Sequence, residues 1–264
     1  MTASVSTTSA PPAVALFISD LHLQEAHPRT TQAFLDFLQT HALRAQQLYL
    51  LGDLFEYWAG DDDLETPYNR HVADAIRRVS DAGVQVFWIA GNRDFLVGDI
   101  FAQAAGLRLL PDPSVLTIGG RRLAVAHGDA QCTDDLAYMA FRAQVRQPQF
   151  QQQFLAQPLA QRKAFIAGVR KESREEQRHK SDQIMDVNPG AINALFDATA
   201  SDTLIHGHTH RPARHVDIVG AATRTRYVLS DWEYDVESPR GGWIAIDAHG
   251  VIRRFAHDGN ELID

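Results

Sequence analysis

Short apolar runs rich in β-branched and aromatic residues recur along this chain, and each breaks off into polar, chemically capable residues. AVALFIS (13–19) runs into Asp20-Leu-His22, QLYLLG (47–52) into Asp53, and VQVFWIAG (84–91) into Asn92-Arg93-Asp94. RLAVA (122–126) runs into His127-Gly-Asp129, and TLI (203–205) into His206-Gly-His208-Thr-His210. Runs of this kind predict buried strands. Between the first three, apolar positions at helical spacing predict helices over 30–45 and 69–82, the second stopped by Gly83. Strand–helix–strand alternation predicts an α/β fold whose sheets have a parallel core. In such sheets the carboxyl ends of the strands share an edge where ligands bind. Five strand ends are therefore expected to bring Asp20, His22, Asp53, Asn92, His127, His208 and His210 together.

The pattern changes over 133–190, where β-runs give way to Gln, Arg and Glu with helical spacing such as Phe150, Phe154 and Leu155. This stretch is expected to be a helical cap inserted between two parts of the core, 13–132 and 191–264. Residues 1–12 are expected to form a flexible tail. Near the C-terminus, Asp-Ala-His-Gly between two β-runs (242–257) predicts an antiparallel hairpin closing a second sheet.

Composition narrows the function. With 25 Lys+Arg against 33 Asp+Glu the formal charge is −8, which disfavours nucleic acid as the main partner. The single cysteine, Cys132, excludes a disulfide framework and fits a reducing cytosol. No basic n-region precedes AVALFI, which is too short for a signal-peptide core, and no stretch of about 20 apolar residues would span a bilayer.

Aspartate, asparagine and histidine form a mixed oxygen and nitrogen donor set suited to divalent manganese, iron, zinc or cobalt. Seven donors are too many for one tetrahedral ion and suit a pair sharing a carboxylate. Asp20-x-His22 and His208-x-His210 have the spacing that puts side chains on one face of an extended backbone. His206 is then expected to point elsewhere or to support its neighbours.

The ordered motifs DLH, GD, GNRD, HGD and GHTH resemble the calcineurin-like metallophosphoesterase superfamily. The resemblance implies a β-sandwich flanked by helices in αββα layers. It implies one ion held by Asp20, His22, Asp53 and His210, and a second by Asp53, Asn92, His127 and His208. Where many relatives have Gly-Asn-His, this chain has Arg93. Arginine keeps its proton, so it is a poor general acid but a good bidentate phosphate clamp. That suits a phosphate leaving group, as in a pyrophosphate.

Longer stretches, among them LYLLGDLFEYWAGDDD, AHGDAQCTDDLAY, KSDQIMDVNP and LIHGHTHRPA, resemble one subfamily, the UDP-2,3-diacylglucosamine diphosphatases of lipid A synthesis. The resemblance implies water attack on the α-phosphorus, giving UMP and 2,3-diacylglucosamine 1-phosphate, with two Mn2+ ions per chain. It places Asn92, Arg93 and His208 at the reacting phosphate, and Asp135, Ser173, Gln177 and Lys180 among the substrate contacts. At Gln177 the familiar residue is asparagine. Phe141, Val145, Phe150, Phe154, Leu159, Phe165, Ile166 and Val169 are candidates either for an acyl cleft or for packing the cap down. The basic residues Arg142, Arg146, Arg162, Lys163, Arg170 and Lys171 suit peripheral attachment to the anionic cytoplasmic face of an inner membrane. No obligate protein partner is evident. The competing readings are a soluble metal-dependent phosphodiesterase, nuclease or nucleotide pyrophosphatase, and a non-catalytic scaffold with broken ligand positions.

Overall fold

The first apolar run forms strand β1 (Ala13–Ile18), and its two faces serve different layers. Leu16 and Ile18 face helices, while Ala15 and Phe17 face a second sheet. Strand β2 (Gln47–Leu50) repeats the division with Leu48 and Leu50 against Tyr49. Strand β3 (Gln85–Ile89) does so with Val86 and Trp88 against Ile89. Strands apolar on both faces are what a sheet buried on both sides requires. The computed structural model describes residues 13–177, 186–220 and 222–263, with the backbone alone for 172–177. The expected tail, 1–12, lies outside the described residues.

Helices α1 (Pro28–Thr40) and α2 (Pro67–Asp81) link β1 to β2 and β2 to β3, close to their expected positions. Gly83 stops α2 with a left-handed φ of 97°. Helix α3 (Asp99–Ala105) and strand β4 (Leu107–Leu110) add a third βα unit. Strands β1 to β4 are mutually parallel.

Strands β5 (Ser114–Ile118) and β6 (Arg121–Ala126) begin the second sheet. Three helices follow: α4 (Leu136–Val145), α5 (Pro148–Leu155) and α6 (Leu159–Gln177). Helix α7 (Pro189–Thr199) and strands β7 (Thr203–His206), β8 (Ala213–Val219) and β9 (Ala222–Val228) complete that layer, in the order β5-β6-β7-β9-β8. Leu123, Val125 and Ile205 fill the space between the sheets, whereas Ala124, Ala126 and Leu204 receive Ile192, Leu195 and Phe196 of α7. The result is the expected αββα layering.

The C-terminal hairpin forms, but in the first sheet and not the second. Strand β10 (Gly242–Asp247) pairs antiparallel with β1, β11 (Ile252–Ala256) pairs with β10, and β12 (Glu261–Leu262) forms the edge. The reason lies in its two apolar faces. Ile244 and Ile246 enter the space between the sheets, and Trp243 packs 5.4 Å from Phe37 of α1. Among the described residues no helix is long and apolar enough to cross a membrane.

Candidate metal centre

All five strand ends arrive at one edge of the sandwich. Three of them turn there through strained backbone: Asp20 and His22 after β1, Asp53 after β2, and His208 and His210 after β7 have φ between 49° and 69°. Among the described non-glycine residues only Ala200, at the C-terminus of α7, shares that conformation. Each such residue costs about 1–3 kcal/mol and persists where neighbours hold it. Here the holding contacts are visible. The loops after β1 and β2 run side by side, with His22 N donating to Asp53 O at 3.0 Å and Leu23 N to Leu54 O at 2.8 Å. The backbone itself leaves no room for larger residues. A Cβ on Gly91 would lie 2.1 Å from Asp53 Oδ1, and one on Gly207 2.2 Å from Asp20 Oδ2.

The candidate donor atoms converge. Those of Asp20, His22 and His210 lie within 4.8 Å of one another, as do those of Asp20, Asp53 and His127. Asn92 Oδ1 is 2.9 Å from both His127 Nε2 and His208 Nδ1. His127 Nδ1 donates to Leu51 O at 2.9 Å, which turns Nε2 toward Asn92. Asp20 uses one oxygen for the loop: Oδ2 accepts from Ser19 Oγ at 2.5 Å and His208 N at 2.9 Å. Its other oxygen is buried, has no hydrogen-bond partner among the described residues, and lies 3.4 Å from His210 Nε2. His22 Nε2 and His210 Nε2 point at each other across 3.2 Å, where at most one proton fits.

Protons do in this site what cations would do. Burial opposes the ionisation of Asp20, but hydrogen bonding and charge from His210, with His127 and His22, hold its carboxyl well below the usual range. Burial likewise disfavours a charged His127, yet Asp53 and Asp20 push it up to about 9. His210 is raised by Asp20 and Asp231 against its own burial, whereas burial lowers His22. His208 falls to about 4 through burial and the charge of His127. A buried cluster of carboxylates and imidazoles that draws in positive charge fits a pair of divalent ions.

His206 lies apart from the cluster. Its Nδ1 donates to Gly207 O at 2.8 Å and its Nε2 accepts from Arg226 at 3.1 Å, with burial holding it neutral, down to about 3. It braces the turn that presents His208. Arg93 N donates to Asp53 Oδ1 at 2.8 Å, and Arg93 Nε is buried without a hydrogen-bond partner among the described residues. The neighbouring Asp94 does not pair with it. Asp94 is fully buried and accepts from Leu54 N (2.7 Å), Gly91 N (2.8 Å), Asp53 N (3.3 Å) and Phe55 N (3.4 Å). The sequence offered Asp94 only as an ordinary surface ion-pair partner for Arg93; its hold on these backbone N–H groups had no signal beyond its place directly after Asn92-Arg93.

Asp135 is the N-cap of α4, accepting from Tyr138 N at 3.0 Å. Tyr138 in turn stacks on His208 with ring centroids 6.0 Å apart and donates to Asp129 at 2.7 Å. Ser173 and Gln177 fall on the helical backbone of α6, and Lys180 lies outside the described residues. The stretch 230–239 borders the site: Trp232 N donates to Asp20 O at 2.9 Å, and Asp231 lies 3.9 Å from His210 Nδ1.

The basic residues of α4 and α6 do not form the expected outward-facing surface. Arg142 pairs with Asp129, Arg146 donates to Gly91 O, and Lys163 meets Asp63 at 2.6 Å. Arg162 is buried against Ala59 O and Asp62, and Arg170 pairs with Glu56. Only Lys171 of the six is exposed. The core facing α6 is acidic, EYWAGDDD (56–63), and Asp129 lies beneath α4, so the cations turn inward. The apolar candidates divide: Val145 and Phe154 are buried and Phe150 and Ile166 pack on the core, while Phe141 and Phe165 stay exposed.

A helix-flanked double sheet with buried carboxylate, amide and imidazole donors at the strand ends defines the class of metal-dependent phosphoesterases. The solved structure of a dimetal phosphatase from Danio rerio shares this fold, with a TM-score of 0.50 at 14% identity, covering 94% of this chain and 96% of that one. Residues 14–212 match the family model described as calcineurin-like phosphoesterase, and the chain belongs to that family. Curated relatives named UDP-2,3-diacylglucosamine hydrolase include one from Xanthomonas oryzae, 51% identical over 91% of this chain and 98% of its own length. Another, from Aromatoleum aromaticum, is 50% identical over 84% of this chain and 90% of its own.

Proposed function

We infer that this enzyme hydrolyses the pyrophosphate bond of UDP-2,3-diacylglucosamine, a step of lipid A synthesis, releasing UMP and 2,3-diacylglucosamine 1-phosphate. The observation that carries the reading is the convergence of all seven donors on one buried edge, in a chain about half identical to hydrolases of that name over nearly its full length. Asp20, His22, Asp53 and His210 would hold one ion and Asp53, Asn92, His127 and His208 the other, with Mn2+ as the resident metal. Bound there, two such ions supply an activated water and neutralise charge on the phosphoryl oxygens.

The residues around them set the reaction. Arg93 clamps the phosphate oxygens, its guanidinium unspent on Asp94. Asn92 and His208 flank the same phosphate. The leaving group is itself a phosphate, so no general acid is required, and Arg93 can stand where a proton donor would otherwise be needed. The segment 133–190 acts as the cap over 13–132 and 191–264, with Asp135, Ser173, Gln177 and Lys180 meeting the sugar and uridine portions. Acyl chains bury against its exposed apolar side chains, each buried methylene contributing about 0.8 kcal/mol. Peripheral attachment to the cytoplasmic face of the inner membrane then rests on Leu136, Phe141 and Phe165 at the surface, since the arginines are engaged.

Phosphorus NMR of turnover in oxygen-18 water tests the proposal. Label is expected in UMP alone. Label in the sugar phosphate would refute attack at the α-phosphorus, and no turnover with either Mn2+ or other divalent ions would refute the substrate.

A further inference from the structure

Glu56 stands three residues after Asp53, on the loop that runs beside Asp20–Leu23. Its backbone N donates to Leu23 O at 3.1 Å, so its position relative to His22 is set by the main chain. Its two carboxylate oxygens face different elements. Oε2 lies 3.0 Å from His22 Nδ1, the ring nitrogen opposite the one that meets His210. The contact is within hydrogen-bond distance but does not meet hydrogen-bond geometry, so among the described residues His22 Nδ1 has no hydrogen-bond partner and the carboxylate stands beside it. Oε1 pairs with Arg170 of α6, whose guanidinium also lies over the Tyr57 ring, 5.6 Å from its centroid. All three side chains are mostly buried, with 16–17% exposure, so bulk water screens the chain of contacts little.

We propose that Glu56 is a positioning residue that couples α6 to metal binding: Arg170 on the helix orients Glu56, and Glu56 fixes the tautomer and ring direction of His22. The chemistry is that of a carboxylate behind a ligating imidazole. It holds the proton on Nδ1, leaves Nε2 free to coordinate, and raises its basicity. A helix carrying substrate contacts and a metal ligand thus share one carboxylate, and each stabilises the seated form of the other, as linkage requires. The proposal rests on the dinuclear reading of the site.

The test is Mn2+ titration of metal-stripped protein, followed by the paramagnetic resonance of free Mn2+. Glu56→Ala is expected to weaken one of two bound ions by about 10- to 100-fold. Arg170→Ala should weaken the same ion by about 2- to 30-fold, and Arg170→Lys by less. The double variant should bind no more weakly than Glu56→Ala alone, because the arginine acts only through the glutamate. Lys163→Ala removes a different tie between α6 and the core, the pair with Asp63, and should leave both affinities unchanged. Arg170→Ala binding within twofold of the parent, additive losses in the double variant, or an equal loss in Lys163→Ala would each overturn the coupling. Fewer than two ions bound by the parent protein would instead overturn the dinuclear reading beneath it.

Discussion

Replacing Asp94 by alanine probes how the site is built without touching a proposed ligand. Its carboxylate holds two loops in register, the one carrying Asp53 and the one carrying Asn92, through four backbone N–H groups at 2.7–3.4 Å. Two of these bonds, to Leu54 and Gly91, are short. Each buried donor left without an acceptor costs about 1–3 kcal/mol, so the pair predicts a loss of about 2–6 kcal/mol. One effect works the other way, because removing Asp94 relieves its repulsion with Asp53. The loss should therefore lie near the lower end in metal-free protein and near the upper end with Mn2+ bound, when Asp53 is already neutralised. Urea unfolding at pH 8, with and without Mn2+, measures both. Asp94→Asn keeps one acceptor oxygen and should lose roughly half as much. A loss below about 1 kcal/mol with unchanged Mn2+ affinity would refute the idea that this carboxylate sets the two loops.

Other expectations follow from the same geometry. Asp53→Ala should abolish hydrolysis and reduce Mn2+ stoichiometry while near-ultraviolet circular dichroism keeps its folded signature; retained turnover would remove the bridging role. Gly91→Ala and Gly207→Ala drive a methyl group into Asp53 and Asp20, so each should lose bound metal in elemental analysis while remaining folded. Arg93→Ala should lower kcat by about 100-fold or more with metal content unchanged, as for loss of one preorganised donor. Burial, then the charge of Asp53, pushes the Asp94 carboxyl up to about 7. The folded metal-free protein thus binds the extra proton between about pH 4 and 7, and its stability relative to Asp94→Asn should fall as pH rises through that window, a trend that thermal unfolding with added Mn2+ should show diminished.

What the sequence made legible was whatever a local pattern encodes. Strands apolar on both faces announced β1, β2, β3, β6 and β7, and their polar ends named the seven candidate residues that the fold brings to one edge. The hairpin at Asp247–Gly250 was equally plain as a hairpin, but its sheet was not. Partner choice depended on Trp243 finding Phe37 across the chain, which no window around residue 243 contains. The basic residues of α4 and α6 misled for a related reason. Interleaved with apolar positions they read as a solvated face, yet Arg162, Lys163 and Arg170 are matched by Asp62, Asp63 and Glu56, about a hundred positions earlier. Asp94 was hidden because its work is done on backbone N–H groups, which every residue has.

The account stands on two cations held by Asp20, His22, Asp53, Asn92, His127, His208 and His210. Anomalous diffraction at the manganese edge, from crystals grown with Mn2+, measures this directly. Two peaks, about 3.5–4 Å apart with Asp53 between them, are the expected result. A single peak, or peaks away from the ends of β1, β2, β3, β6 and β7, would contradict it.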